Sequence, residues 1–152
     1  MKRTFRLTSH KVLNMSAAKA NNSMSILRDI MYLTLHNRVS CDRLLQLKND
    51  FILEVEKLFE GFEELRDDEE YISGLECIHL GDDNDNNYHM ATAQICRIVK
   101  LLGEEDIKEA RVCQFMVINY METIIYNKCK CNPYFTYLID KSYPVPAIVA
   151  EN

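Results

Sequence analysis

The sequence predicts an all-α protein, built as a bundle of helices around one central buried helix. Only four Gly, three Pro and no Trp occur in 152 residues. So few turn-forming residues favour helices with short connections over an all-β sandwich. The stretch from Tyr88 to Leu102 is the second observation, because its polar side chains fall within roughly 140° of a helical projection at about 100° per residue. Its wide apolar surface predicts that other helices surround it.

The composition indicates one globular domain and excludes several functions. Hydrophobic residues make up 47% of the chain and charged residues 27%, which is typical of a folded protein. Residues 1–28 carry six Lys or Arg and no acid, so all 23 acids lie in the remainder of a chain with net charge −5. An acidic body argues against nucleic-acid binding. The basic beginning fits an N-terminal arm, a first helix or a mitochondrial presequence.

Two helices are predicted before residue 63. Asn22 or Ser23 caps a helix over residues 25–37, and Ser40 or Asp42 caps the next one. Gly61 ends or bends that second helix. Its apolar stripe consists of Leu44, Leu45, Leu47, Phe51, Ile52, Val55, Leu58, Phe59 and Phe62.

Residues that are typical of helix ends also mark the bounds of the later helices. Asp67 and Glu70 resemble a capping box ahead of a short helix over residues 71–80, and Gly81 is its predicted C-cap. An acidic loop then leads to the central helix, with Asn86 or Asn87 as cap and Gly103 as its end. A further helix opens with residues 104–106 and continues to about residue 125, with or without a break. The predicted domain organisation is an arm or first helix over residues 1–22, a bundle over 23–132 and a tail over 133–152.

The sequence lacks a catalytic constellation, so we expect a protein that is not an enzyme and needs no cofactor. The four His residues lie in different segments, and no phosphate loop, nucleophile elbow or HExxH motif occurs. Cys77, His79, His89 and Cys96 could together form a metal site. The simpler interpretation is that the cysteines lie in the core and the histidines on the surface, so no metal is predicted. The six Cys are interpreted as reduced thiols. No stretch reaches the roughly 18–20 apolar residues that span a bilayer.

The stretch HMATAQICRIVKLLGE (residues 89–104), together with the order of helices, resembles the poxviral Bcl-2-like family. In anti-apoptotic members from myxoma, deerpox and vaccinia viruses, the central helix opens with a basic residue, then Leu-Ala-Thr and an apolar run. His89, Met90, Ala91 and Thr92 stand in matching order. Residues 127–132 also resemble the myxoma-virus member. The resemblance covers roughly residues 44–132.

The resemblance implies that the protein sequesters host pro-apoptotic BH-3 proteins in a hydrophobic groove and so inhibits apoptosis. An amphipathic partner helix would insert apolar anchors into this groove, and its Asp would pair with His89. The implied groove residues are Phe51, Ile52, Val55, Leu58, Phe59, Tyr71, Ile72, Leu75, Tyr88, His89, Met90, Ala91 and Ile95.

Two alternatives remain open at this stage. Soluble members of the family bind innate-signalling components and block NF-κB activation, so the same fold could act through a surface other than the groove. A helical mitochondrial protein with a presequence is the second alternative. Family members at mitochondria carry a C-terminal anchor, and residues 143–152 are too short for one. We therefore expect a host-cytoplasmic protein, or one at the mitochondrial outer membrane if an anchor follows residue 152; a homodimer is also compatible.

Overall fold

The computed structural model describes residues 9–36, 40–62 and 80–130, and its regular structure there is entirely helical. The helices are α1 (Ser9–Thr34), α2 (Cys41–Lys57), α3 (Asn84–Gly103) and α4 (Ile107–Cys129). The predicted all-α class is therefore confirmed. The predicted helix over residues 71–80, the first eight residues and the tail lie outside the described residues, apart from Leu80.

Helix α1 is longer than predicted. It passes without interruption through the predicted cap at Asn22 and Ser23, so that prediction is wrong. The buried Ser23 hydroxyl instead donates to the carbonyl of Lys19, one helical turn earlier. No Gly or Pro precedes residue 61 in the sequence, so no backbone feature stops the helix at residue 22. Ala20 already lies in the core, and α1 thus crosses the predicted boundary between arm and bundle.

Helix α2 begins where the sequence predicts and ends earlier. The Ser40 hydroxyl oxygen accepts a hydrogen bond from the Arg43 N–H at 3.2 Å, which confirms Ser40 as the N-cap. The helix ends at Lys57, and a turn follows in which Gly61 has a φ of 95°, a left-handed value that favours glycine. Lys19 of α1 reaches this end of α2, where its ammonium contacts the Lys57 carbonyl and the Glu60 carboxylate.

The acidic approach to α3 is held by side-chain amides. The cap is Asp83, whose carboxylate accepts from the Asn86 N–H at 3.2 Å, so the predicted caps at Asn86 and Asn87 are wrong. The amides of Asn87 and Asn127 both donate to the carbonyl of Gly81, at 3.1 and 2.9 Å. The Asn87 bond joins the loop to α3, and the Asn127 bond joins it to the C-terminal part of α4.

Helices α3 and α4 form the most extensive helix pair among the described elements. Helix α3 ends at Gly103, as predicted. Helix α4 starts at Ile107 behind an Asp106 cap, three residues later than expected, and runs to Cys129 without a break. Glu105, with a φ of 62°, lies in the tight connection between them.

The helix at the centre of the described bundle is α4, whereas α3 is buried on one face and exposed on the other. Every residue of α4 from Val117 to Tyr126 is buried, and this helix packs against all three others. In α3 the exposed positions include Met90, Ala93 and Cys96. The prediction that the segment from Tyr88 to Leu102 is surrounded by other helices is therefore wrong. Apolar atoms also contribute much of the surface of a folded protein, so a wide apolar projection does not by itself place a helix at the centre.

Candidate functional site

The residues predicted to form the partner groove are not gathered into one groove by the described structure. Six of them lie fully in the core: Phe51, Val55, Leu58, Phe59, Ala91 and Ile95. Ile52 and Tyr88 are half-buried and pack against that core, whereas His89 and Met90 are exposed. Tyr71, Ile72 and Leu75 lie outside the described residues. The six buried side chains stabilise the fold and offer no surface to a partner in this conformation.

The arrangement of helices explains this separation. Helices α1 and α4 each pack against both α2 and α3, whereas α2 and α3 make little direct contact. Within the described residues, the predicted wall on α2 and the predicted floor on α3 therefore do not pack directly against each other.

The exposed residues His89, Met90, Ala93, Cys96 and Arg97 define a surface that we call the outer α3 face. Met90 is one of four large hydrophobic side chains that are exposed in the described residues, at 37% of its accessible area. Met90, Ala93 and Arg97 follow the i, i+3, i+7 spacing of one helical stripe. This face therefore combines an apolar patch with flanking basic groups.

The basic groups of the outer α3 face are weakly engaged. Arg97 comes no closer than 4.0 Å to the Glu109 carboxylate, and both side chains are about half exposed. The His89 ring meets Tyr88 edge-on, with ring centroids 5.9 Å apart. No described carboxylate forms an ion pair with His89. Exposed ion pairs contribute little, so a partner carboxylate could replace them at small cost.

A second feature is a partly buried polar cluster of Glu56, Arg111 and Gln114, which packs against Phe59. The Arg111 guanidinium donates through Nη1 to Glu56 Oε1 at 3.0 Å and to Gln114 Oε1 at 2.8 Å. Gln114 in turn donates to Glu56 Oε1 at 2.8 Å. The guanidinium carbon lies 4.0 Å from the centroid of the Phe59 ring. Together these contacts join α2 to α4 and hold Arg111 in one orientation.

A third feature is the buried ion pair between Lys48 and Glu122. Lys48 Nζ lies 3.8 Å from Glu122 Oε2, and their side chains are 0% and 4% exposed. Burial raises the pKa of Glu122 to about 8, although the Lys48 charge opposes this shift. Burial likewise lowers the pKa of Lys48, against the attraction of Glu122. Neither Glu122 oxygen has a hydrogen-bond partner, and the same holds for both amide atoms of the neighbouring Asn119.

Sequence reasoning missed both polar features. Lys48 stands four residues after Leu44 and three before Phe51, on the core stripe of α2, and Glu122 is a lone acid within the apolar run of α4. A charged residue at a core position of an amphipathic pattern is the signal that could have found them. Their pairing could not be found that way, because it depends on how α2 and α4 pack.

The described residues give no sign of a metal centre or a membrane-spanning helix. No group of three or more His, Cys, Asp or Glu residues there could hold a metal ion. Of the imagined metal ligands, His89 and Cys96 are exposed on α3, while Cys77 and His79 lie outside the described residues. None of the helices in these ranges is long and apolar enough to cross a bilayer. Cys96, Cys113 and Cys129 are free thiols, and burial raises the pKa of Cys113.

Comparisons of the chain with protein-family models, with curated proteins and with solved structures find no match.

Proposed function

We propose that this chain is a viral anti-apoptotic Bcl-2-like protein that sequesters host pro-apoptotic BH-3 proteins and acts by binding alone, without catalysis. The observation that carries the proposal is the outer α3 face. It places exposed Met90 and Ala93 between His89 and Arg97, at the opening of the helix whose sequence resembles that family.

The chemistry of this face suits an amphipathic helix that carries an acid. Apolar anchors spaced by three or four residues would pack against Met90 and Ala93, and a partner Asp would accept hydrogen bonds from His89 or Arg97. A hydrogen bond to a charged group contributes about 1.5–3 kcal/mol. The docking surface is thus proposed on exposed residues of α3 rather than on the buried residues of α2.

The direct test is calorimetric titration with a panel of BH-3 peptides of about 26 residues, long enough for the helix-in-groove mode. Met90→Glu should weaken binding at least about tenfold, or about 1.4 kcal/mol, because it places a carboxylate where an apolar anchor docks. Leu53→Glu is the matched control, since Leu53 is 60% exposed on α2, away from this face.

A variant of His89 provides a second test in the same calorimetric titration. His89→Ala should weaken binding, because it removes a hydrogen-bond donor from the surface that the partner Asp would contact. Equal losses in Met90→Glu and Leu53→Glu would place the peptide elsewhere. An absence of binding to every peptide would remove the proposal.

A second candidate is inhibition of innate NF-κB signalling through a different surface. It is favoured by the burial of Phe51, Val55, Leu58 and Phe59, which leaves α2 without an open groove wall. Tyr32 and Leu35, exposed at 61% and 71% near the end of α1, supply an alternative apolar surface. An NF-κB reporter assay in cells tests it: the wild-type chain should suppress the signal and Leu35→Glu should relieve that suppression, while a wild-type chain without effect would reject it.

A further inference from the structure

We infer that the buried side chain of Arg111 is a binding site for a carboxylate group, which its Nε and Nη2 atoms would hold in a bidentate pair of hydrogen bonds. This site lies between α2 and α4, apart from the outer α3 face, and it does not depend on the proposed function.

The guanidinium of Arg111 is already fixed in place. All its observed hydrogen bonds are made by one nitrogen, Nη1, which donates to both Glu56 oxygens at 3.0 and 3.3 Å and to Gln114 at 2.8 Å. Phe59 covers one face of the plane. A group that is held this firmly loses little freedom when a ligand binds, which favours affinity.

The other edge of the guanidinium is unused. Nε and Nη2 are buried and have no hydrogen-bond partner, although Arg111 is only 3% exposed. A buried donor without an acceptor costs about 1–3 kcal/mol, and more when it belongs to a charged group. In arginine these two nitrogens share one edge, and their N–H bonds run parallel. That edge matches the two oxygens of a carboxylate.

The surrounding charge favours a monoanion. Glu56 already compensates the Arg111 charge, so Glu56 repels any anionic ligand, and a singly charged carboxylate meets less repulsion than a dianionic phosphate. Glu56 is the most solvent-accessible member of the polar cluster, with its side chain 39% exposed, against 4% for Arg111. Nε and Nη2 themselves have almost no solvent-accessible area, so a carboxylate would reach the free edge only after the side chains that cover it move aside.

Nuclear magnetic resonance of the Nε–H groups of arginine tests the site on the intact wild-type protein. Sodium acetate is titrated at pH 7 to about 100 mM, a hundredfold above a dissociation constant of 1 mM, with sodium chloride to the same ionic strength as a parallel titration. The Arg111 Nε–H signal should move along a saturating curve in acetate only. The exposed Arg43 of α2 provides the matched internal control, and its signal should not respond specifically.

Several outcomes of these titrations would contradict carboxylate binding at Arg111. A response of Arg111 that fails to saturate, that is equal in chloride or that is shared by Arg43 would overturn it. Saturation by inorganic phosphate but not by acetate would contradict the assignment to a carboxylate. Arg111→Lys keeps the charge but lacks the two-donor edge, so any acetate-induced rise in the melting temperature of the wild-type protein should be lost in this variant. An equal rise in both proteins would also count against the site.

Discussion

At one end of the interface between α2 and α4, Glu56 makes hydrogen bonds to Arg111 and Gln114 at 2.8–3.0 Å; at the other end, Lys48 and Glu122 approach only to 3.8 Å. The Glu56 side chain remains 39% exposed, whereas Lys48 and Glu122 are both almost fully desolvated. The first pair keeps part of its hydration and gains hydrogen bonds. The second pair loses its hydration, and its two charged atoms stay 3.8 Å apart.

This difference shows that the contribution of an ion pair to the stability of a helical bundle depends on its surroundings. Desolvation dominates at Lys48 and Glu122, as the raised pKa of the acid and the lowered pKa of the lysine indicate. Replacing such a buried pair by apolar residues is often neutral or stabilising, whereas removing one partner is costly. We therefore expect Lys48 and Glu122 to specify that α2 packs against α4, rather than to add to the free energy of unfolding.

The largest expected effect follows removal of one member of the buried pair. Glu122→Leu removes the described carboxyl partner of Lys48 and should lower the free energy of unfolding by about 3–5 kcal/mol. Urea denaturation measures this change. The double variant Lys48→Met with Glu122→Leu is the control, and it should recover most of the loss. A double variant that is less stable than Glu122→Leu would show that the pair is a net source of stability.

An intermediate effect concerns pH. The folded-state pKa of Glu122, about 8, exceeds the ordinary glutamate value of 4.5, so its contribution to stability is complete below about pH 4.5 and disappears as pH rises through about 8. The free energy of unfolding should therefore fall by a few kcal/mol across this window. Lys48 acts oppositely: its lowered pKa gives a contribution that is present above about pH 10.5 and lost as pH falls through the folded-state value.

Urea denaturation at several pH values separates the two groups. Glu122→Gln cannot titrate, so the fall between pH 4.5 and 8 should flatten in this variant. A fall of the same size in Glu122→Gln and in the wild-type protein would assign the pH dependence to other groups.

The smallest expected effects compare two amide side chains of α4. Gln114→Ala removes hydrogen bonds to Glu56 and Arg111 and should destabilise the protein by about 1–2 kcal/mol. Asn119→Ala removes a buried amide whose N and O atoms have no partner, and Ala is the better helix former, so it should be neutral or stabilising by up to about 1 kcal/mol. Thermal unfolding of both variants measures the difference, and equal losses would show that Asn119 is as well satisfied as Gln114.

Local signals in the sequence predicted the helical class and several helix ends. Ser40 caps α2 and Gly103 ends α3 because a hydroxyl acceptor and a flexible backbone act on their immediate neighbours. The same reasoning failed at Asn22, where a residue type that can cap a helix lies within one, because the surrounding sequence also favours helix.

Only the tertiary structure decided which helix lies at the centre and which charged residues are paired. An apolar projection cannot distinguish a side chain that is covered by a neighbouring helix from one that merely tolerates water, so Met90 and Ala93 were counted toward a buried helix. Conversely, the sequence marks Glu122 as a lone acid in an apolar run, but its pairing with Lys48 exists only where α2 packs against α4. Burial and ion pairing are properties of two or more elements together, and the sequence of one helix does not contain them.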